Sequence, residues 1–466
     1  MTTLSAAPTP SSSAVAAFEW LTRTLTTGLD EAQIVVTWIP APLVAADRVF
    51  SLAPASKRIA WIGADGDFFV GAGTTLEVRA SGERRFDEIN AKVARAYDSL
   101  LVHAAPGAEP LDPRFYGGFA FRVGGAQAPP WSPFGDALFV LSRLLYRQVG
   151  GHAQIGLAIS RDSVRTRQLP PQVHDVLAWR DSLARSRNGH HASAHRQLQV
   201  CGSTALREQI QDALTVIASG QLDKIVVADC QQIEIDPPPD PVEVLARLLA
   251  DSPTATTFAF ERPDACFLGA SPERLVLRNG RRIVTEALAG SIQLEPHCNV
   301  RTLLDSTKDQ TEHGFVVREI QSALSPVCSE LHFPDAPVLR TLRRVAHLST
   351  PLEGRLYADT HVLDLVQRLH PTPAVGGSPT HEAMAWIRQH EPHSRGWYAG
   401  PVGWIDAAGD GDFMVALRSG VLCGTRVLLF AGAGVVSGST LDKEVAEIDL
   451  KLSTFRSALG LRTDER

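Results

Sequence analysis

The sequence predicts an α/β protein with a large core. The chain has 466 residues, of which 44% are hydrophobic and 21% are charged, and a globular chain of this length buries a sizeable core. Short β-like runs at residues 33–39 and 116–122 flank a stretch of helical spacing at residues 86–102. Composition leaves open whether the chain forms one oversized domain or two to three ordinary ones.

Charge and cysteine content narrow the class of protein. The 45 lysine and arginine residues and the 51 aspartate and glutamate residues give a formal charge of -6, without the basic stripe that nucleic-acid binding requires. No apolar run approaches the roughly 20 residues that span a bilayer. The six cysteines lie far apart and form no CxxC pair, which is typical of a reduced, cytoplasmic protein. We therefore expect neither a nucleic-acid partner nor a membrane partner.

Polar segments divide the chain into four parts. Residues 1–18 are rich in Ala, Ser and Pro and lack the basic region of a secretory signal, so we expect a disordered leader. Residues 185–203 are polar and basic without hydrophobic period, which predicts an exposed linker. Residues 19–184 then form an N-terminal scaffold part, and residues 204–460 form the catalytic part that holds every candidate residue below.

Lys224 is the first candidate, at the start of a predicted strand. Apolar residues at helical spacing predict a helix over residues 206–217, which ends at Gly220, and the strand follows at residues 224–230. Neighbouring Ile and Val side chains should partly desolvate the lysine, the condition under which it becomes a usable base near neutral pH. The alternative is an ordinary strand-end lysine in water.

Glu273 is the second candidate. An apolar strand at residues 267–271 runs into a Ser-Pro turn just before it. A carboxyl group in such apolar surroundings can stay protonated and act as a general acid. The alternative is a salt bridge between Glu273 and Arg274.

Two pairs of acidic residues form the third candidate. Helices would bring Asp309 and Glu312 to one face, and Glu444 and Glu447 to another, each at i,i+3 spacing. If the two helices face each other, the four carboxylates make an oxygen cage suited to Mg²⁺. The alternative is that each helix shows a solvated acidic face, with Glu447 paired to Lys451.

Two glycine-containing turns complete the set of candidates. The corner at residues 369–377, LHPTPAVGG, combines prolines that fix φ with glycines that allow close backbone approach, so it is either a ligand-facing turn or an ordinary loop. Residues 431–434, AGAG, offer backbone N–H groups that could hold a carboxylate. The latter is a poor dinucleotide signature, because the third glycine is displaced and no βαβ unit is evident.

Eight motifs, taken in order, resemble those of the chorismate-utilising enzymes, and most closely those of the isochorismate-forming members. The resemblance covers residues 205–459, whereas the N-terminal half matches only through GGFAFR. It implies a single large domain of two packed, mainly antiparallel β-sheets with helices on the outside and a site in a cleft. The motifs are KIVVADC, FLGASPERL, TEALAGS, KDQTEHGFVV, HPTPAVGG, RGWYAGPVGW, VALRSG and AGAGVVSGS with EVAEIDLK.

The resemblance also implies a role for each candidate residue. Lys224 would be the base that activates water, and Glu273 the acid that protonates the departing hydroxyl. Glu312 and Glu447 would hold Mg²⁺ directly, with Asp309 and Glu444 behind them through water. The remaining residues would contact the substrate: Tyr398 and Arg418 at its pyruvyl carboxylate, Gly432 and Gly434 through backbone donors, His370 and Lys451 near the ring carboxylate and metal, and Gly290, Ser291 and Ala374 along the pocket.

Single positions distinguish the products that such enzymes form. Lys224 together with Ala374 favours water over ammonia as nucleophile, so no amidotransferase subunit is expected. Ser291 stands where salicylate-forming relatives usually carry threonine. Mg²⁺-dependent conversion of chorismate to isochorismate by a cytoplasmic monomer is therefore the leading hypothesis, with salicylate formation or a non-catalytic chorismate-binding subunit as alternatives. Asp309 replaces a more usual glutamate, and residues 293–304 lack the arginine-glycine run of many relatives.

Overall fold

The computed structural model describes residues 12–54, 56–166, 169–185, 197–201, 205–294, 299–343 and 345–461. Its helices are α1 Ser12–Glu31, α2 Ala46–Leu52, α3 Arg85–Tyr97, α4 Arg161–Thr166, α5 Leu169–Arg185, α6 Leu206–Ala218, α7 Pro241–Asp251, α8 Thr302–Asp305, α9 Thr307–Leu324, α10 Val362–Leu369, α11 Thr380–His390 and α12 Leu441–Ala458. Its strands are β1 Ile34–Pro40, β2 Ile59–Ile62, β3 Phe68–Ala72, β4 Leu76–Ala80, β5 Leu100–Ala104, β6 Phe115–Phe119, β7 Ala137–Leu141, β8 Leu144–Val149, β9 His152–Ser160, β10 Gln197–Cys201, β11 Lys224–Asp236, β12 Thr256–Arg262, β13 Ala265–Ser271, β14 Arg274–Asn279, β15 Arg282–Gln293, β16 Cys328–His332, β17 Val338–Thr341, β18 Val345–Leu356, β19 Gly377–Ser378, β20 Pro401–Ile405, β21 Gly411–Val415, β22 Ser419–Cys423 and β23 Arg426–Val436.

Two large sheets contain the strands. The first has the order β10-β11-β23-β22-β13-β12-β2-β3-β8-β9-β1-β5, with β19 paired to β11, and the second has the order β16-β18-β15-β14-β21-β20-β6-β7-β4, with β17 paired to β18. Neighbouring strands are antiparallel except for the parallel pair β1 and β5. The predicted fold class, two packed and mainly antiparallel sheets with helices, is confirmed.

Each sheet joins the two halves of the chain at one strand pair. In the first sheet, β12 of the second half pairs with β2 of the first half, through Thr257↔Ile62 and the next three residue pairs. In the second sheet, β20 pairs with β6, through Val402↔Gly118 and the next three pairs. The N-terminal part therefore continues both sheets that the catalytic part begins.

Aromatic side chains fill the space between the sheets. Trp397 is fully buried, with its ring centroid 5.4 Å from that of Phe134 and 5.6 Å from that of Phe260. Trp131 packs edge-on against Phe267 at 5.2 Å. Edge-to-face contacts of this kind are favoured by aromatic quadrupoles and add to the hydrophobic stabilisation of the core. Helices α6, α7 and α12 cover the first sheet, and α3, α9 and α10 cover the second.

Three predicted segments differ from the structure. Residues 12–18 of the expected disordered leader lie in α1, and residues 1–11 lie outside the described residues. Within the expected linker, Gln197–Cys201 form β10 on the edge of the first sheet, and residues 186–196 are not described. The helix predicted to reach residue 102 ends at Tyr97, because Leu100–Ala104 pair with β1 as a strand. Long-range pairing overrides local spacing there.

None of the helices among the described residues is both long and apolar enough to cross a membrane.

Candidate active site

A cavity that opens to solvent lies between the two sheets, with about 690 Å³ of space when its open mouth is included. Strands β11 and β23 of the first sheet, β15 and β18 of the second, and helices α9 and α12 all contribute to its wall. Eleven of the residues that the sequence singles out line it: Glu273, Gly290, Ser291, Glu312, Ala374, Tyr398, Arg418, Gly432, Gly434, Glu447 and Lys451. Side chains from distant parts of the chain thus meet at one place.

Lys224 is buried at the first position of β11, with none of its surface exposed. Its backbone is held on one side by β23, opposite Val436, and on the other by the short strand β19, opposite Ser378. The Nζ atom lies 3.0 Å from Oε1 of Glu312, which lines the cavity. This ion pair lacks hydrogen-bond geometry, and Nζ has no hydrogen-bond partner among the described residues. The alternative of a solvated strand-end lysine is wrong.

Gly434 leaves the space in which Lys224 and Glu312 meet. A Cβ atom at this position would lie 2.2 Å from Oε1 of Glu312 and 2.9 Å from Cε of Lys224. Both distances are shorter than van der Waals contact, so even a methyl group would push the two side chains apart. Glycine is needed at this position because the two side chains lie too close for a Cβ atom, and not because of its φ and ψ angles.

Replacing Gly434 with alanine should therefore lower turnover by about 100-fold, since displacement of reacting groups by about 1 Å has effects of this size. Steady-state kinetics would measure the loss, and circular dichroism would check that the fold is kept. Gly376→Ala is the matched control, because a Cβ atom there meets its nearest neighbours at 3.5 Å. Equal activities of the two variants would contradict the placement of Lys224 beside Glu312.

Glu273 lies at the junction of β13 and β14 and is 3% exposed. Burial, followed by the negative charge of Glu286, raises the pKa of Glu273 to about 8, although Lys224 and Lys451 oppose the shift. Its carboxyl group is therefore mostly protonated at neutral pH. The alternative of a salt bridge to Arg274 is wrong, because that guanidinium pairs with Asp412 at 2.9 Å.

The four acidic residues of α9 and α12 each face a specific neighbour instead of forming solvated helix faces. Glu444 is fully buried and pairs with Lys308 at 2.8 Å, which links the two helices. Glu447 pairs with Lys451 at 2.7 Å, as the alternative interpretation expected for that pair. Burial works against the charge of Glu447, but the ammonium of Lys451 outweighs it and holds the pKa of Glu447 below its ordinary value.

Excess negative charge remains in this cluster. Burial raises the pKa of Asp309, and the nearby Glu312 and Glu447 raise it further. Burial likewise raises the pKa of Glu444, with Glu447 as an additional cause. A cation placed among these carboxylates would relieve their mutual repulsion.

The donor set fits Mg²⁺ with two protein ligands. Within the described residues, no group of three or more His, Cys, Asp and Glu side chains is arranged to hold a metal ion. Glu312 and Glu447 are the two members of the cluster that line the cavity. Mg²⁺ commonly takes one or two carboxylates and completes its shell with waters and substrate oxygens. These two residues would hold the ion, whereas Asp309 and Glu444 do not line the cavity.

Cationic and hydroxyl groups occupy another part of the wall. Arg418 donates from Nη1 to Oγ1 of Thr454 at 3.2 Å, and Lys451 donates from Nζ to the carbonyl oxygen of Gly432 at 2.8 Å. Tyr398 stacks on Phe430, with ring centroids 5.2 Å apart, and burial raises the pKa of its phenol to about 12. A neutral phenol and two cations can together bind a carboxylate.

His347 is a functional candidate that the sequence analysis missed. It lines the cavity from β18 and is 5% exposed. Burial, together with Arg418 and Lys451, lowers its pKa to about 3, so the ring is neutral. Its Nδ1 lies 3.1 Å from the carbonyl oxygen of Gly290, which can only accept, so this nitrogen carries the proton. Nε2 is then an acceptor and lies 3.5 Å from Nη2 of Arg418.

His370, by contrast, does not line the cavity. Its Nε2 donates to the carbonyl oxygen of Phe121 at 2.9 Å, and its ring meets the Phe121 ring edge-on at 5.7 Å. Burial lowers the pKa of His370 to about 3. The predicted position near a ring carboxylate is therefore replaced by a role in holding the corner to the N-terminal part.

Arg395 connects the same corner to β11, the strand that begins at Lys224. It donates from Nη1 to the carbonyl oxygen of Val375 at 2.7 Å and from Nη2 to that of Val226, in β11, at 2.9 Å. Glu391 accepts from its Nε at 2.9 Å, so the buried guanidinium is fully engaged. This network keeps Ala374 and Val375 on the cavity wall beside the strand that carries Lys224.

Known proteins resemble the chain over most of its length. A family model described as chorismate binding enzyme matches residues 26–460. The salicylate biosynthesis isochorismate synthase of Pseudomonas aeruginosa is 38% identical over 412 residues, which cover 84% of this chain and 83% of that protein. The isochorismate synthase MenF of Bacillus subtilis is 43% identical over 256 residues, which cover 54% of this chain and 54% of that protein.

Solved structures agree with this relationship. MenF, the menaquinone-specific isochorismate synthase of Escherichia coli, superposes with a TM-score of 0.77 and 27% identity, over 96% of this chain and 99% of that one. Anthranilate synthase component I of Streptococcus pneumoniae shares the fold, with a TM-score of 0.66 and 18% identity, over 87% and 93% of the respective chains. From the family match and these similarities, the chain belongs to the family of chorismate-binding enzymes.

Proposed function

We propose that the protein is an isochorismate synthase, which converts chorismate to isochorismate with Mg²⁺. The observation that carries this proposal is a buried pair of complementary groups. Glu273 is held protonated at neutral pH, with its pKa raised to about 8, on the wall of a cavity that Glu312 also lines, and the buried Lys224 has its Nζ 3.0 Å from Oε1 of Glu312. A proton donor on the cavity wall and a base directly behind it suit replacement of one hydroxyl group by another.

Lys224 and Glu273 perform the two proton transfers. Lys224, in its amine form, takes a proton from a water molecule whose oxygen bonds to C2 of chorismate. Both ring double bonds shift, from C1=C2 to C1=C6 and from C5=C6 to C4=C5, as the C4–O bond breaks, and the departing hydroxyl takes the proton of Glu273 and leaves as water. Exchange with solvent then restores both side chains, so the reaction is reversible and redox-neutral.

The other wall residues orient a substrate with two carboxylates. Arg418 and Tyr398 suit the pyruvyl carboxylate, since a guanidinium presents a planar pair of donors. Mg²⁺, held by Glu312 and Glu447, would neutralise the ring carboxylate when bound. Lys451 and the backbone of Gly432 and Gly434 lie beside this position.

An assay of the purified chain with chorismate and Mg²⁺, without glutamine or ammonia, tests the proposal. Isochorismate as the accumulating product would support it. Salicylate together with pyruvate would instead indicate the salicylate-forming alternative. Binding of chorismate without any product would indicate a non-catalytic chorismate-binding subunit.

Replacing Glu312 with glutamine should raise the Mg²⁺ concentration needed for half-maximal rate by about tenfold or more, because the amide carries no charge for the cation. Titration of turnover with Mg²⁺ measures this shift. Glu319→Gln, at an exposed position of the same helix, is the matched control. An unchanged titration for Glu312→Gln would remove this residue from the metal site.

A further inference from the structure

The carboxylate of Glu286 is not part of the cavity wall and has no part in the reaction described above. Glu286 and Leu288 share one face of β15, because side chains alternate along a strand, and Leu288 lines the cavity. Ser349 donates from Oγ to Oε1 of Glu286 at 2.6 Å, and Arg340 of β17 pairs with Oε2. With both oxygens engaged by donors, the side chain is held in place as a carboxylate.

The β14–β15 hairpin brings Glu286 next to Glu273. Thr285 donates from Oγ1 to the carbonyl oxygen of Leu275 at 2.7 Å, which holds the two strands together at this level. Glu273 lies two residues before Leu275, and Glu286 directly follows Thr285. The carboxylate of Glu286 therefore lies on the strand that pairs with β14, at the end of β14 that Glu273 precedes.

The charged groups around Glu273 shift its pKa in opposite directions. Burial is the largest cause of its raised pKa, and Glu286 is the largest charged one. Lys224, Lys451 and Arg340 lower that pKa. The other charged or titratable side chains on the same cavity wall are Glu312, Glu447, Arg395, Arg418, Tyr398 and the neutral His347. Glu286 and its own ion-pair partner Arg340 thus have opposite effects on the same proton.

We propose that Glu286 is a positioning residue whose fixed negative charge keeps Glu273 in the acid form that donates a proton to the leaving hydroxyl. This inference rests on the proposed function, in which Glu273 is the general acid. Arg340 and Ser349 hold the carboxylate of Glu286 in place. The positive charge of Arg340 also offsets part of the effect that Glu286 has on Glu273. The pair therefore sets the highest pH at which the acid is still protonated.

The two members of the ion pair give variants with opposite expected results. In Glu286→Gln, the high-pH limb of the kcat profile should move to lower pH by about half a unit or more, since a like charge next to the acid is removed. In Arg340→Gln, the limb should move to higher pH, because Ser349 still holds Glu286. A purely structural role would lower the rate without moving the limb. Arg343→Gln, an exposed arginine after the same strand, is the control and should leave the limb in place.

Infrared difference spectroscopy gives a second readout that does not depend on activity. The carboxyl band of Glu273 is assigned by its disappearance in Glu273→Gln and is then titrated in each variant. A lower midpoint in Glu286→Gln and a higher one in Arg340→Gln support the proposal, and either variant suffices if the other does not fold. Unchanged midpoints overturn it, whatever the rates do. A shifted band with an unmoved kcat limb upholds the effect of Glu286 and refutes Glu273 as the acid.

Discussion

Lys224→Ala is expected to lower kcat by about 10³-fold or more, because a positioned general base contributes an effect of this order. Lys224 has no exposed surface, and its Nζ lies 3.0 Å from Oε1 of Glu312. Chorismate should still bind, since Arg418 and Lys451 are untouched. Isothermal titration measures the affinity for chorismate and steady-state kinetics measure kcat, so the two experiments separate an effect on binding from an effect on turnover.

Lys443→Ala removes the same charge from an exposed position of α12 and serves as the control for this variant. It should retain the wild-type rate. A near-normal rate in Lys224→Ala would show that the base is another group. Lys224→Met, which keeps most of the side-chain volume, distinguishes loss of the amine from collapse of the strand end.

Glu273→Gln is expected to abolish turnover to a similar degree, because glutamine keeps the shape of the acid but has no proton to donate. In the wild type, the high-pH limb of kcat should fall near the pKa of Glu273, about 8. Below that pH the acid form is present, and it is lost as the pH rises through 8. A Glu273→Gln variant with near-full rate would contradict the assignment of the acid.

The same substitution should stabilise the protein at high pH. The pKa of Glu273 is raised from 4.5 to about 8 on folding, so between these values the folded state binds more protons than the unfolded state and stability falls as the pH rises. Glutamine cannot ionise, and the variant therefore avoids roughly 3 to 5 kcal/mol of this loss at pH 9. Urea unfolding of the wild type and the variant at pH 6 and pH 9 measures the difference in their free energies of unfolding, which should grow with pH. A difference that is equal at both pH values would mean that Glu273 does not ionise in this range.

Sequence reasoning identified eleven residues of the cavity wall because their charged side chains and glycines form recognisable motifs. Lys224 and Glu273 stand out as charged residues next to apolar strands, and the i,i+3 spacing of the acidic pairs is visible in the chain. The Glu447–Lys451 pair is visible at i,i+4, whereas the lysines that Glu312 and Glu444 meet depend on long-range packing. The pairing of Lys308 with Glu444, across two helices, has no local signal.

The two histidines show the limit of local patterns. His347 stands among apolar strand residues and resembles a core histidine, and only the pairing of β18 with β15 brings it to the cavity beside Gly290. His370 stands in a polar proline corner and resembles a ligand, but its Nε2 donates a hydrogen bond to the carbonyl oxygen of Phe121. An alternation count over residues 345–350 would have marked His347 as a buried polar side chain, which is the one sequence signal for it.

The sheet joints β12–β2 and β20–β6 determine how chains of this family can be recombined. The N-terminal part meets the remainder of each sheet through four residue pairs at one joint and four at the other. A chimaera that takes its N-terminal part from a relative should fold if strands β2 and β6 keep the residues that these pairs require, notably Gly118, where a Cβ atom would lie 2.7 Å from the carbonyl oxygen of Pro401 in β20. Removal of that part would leave β12 and β20 as open sheet edges, which promote aggregation. The N-terminal part is thus an exchangeable module but not a dispensable one.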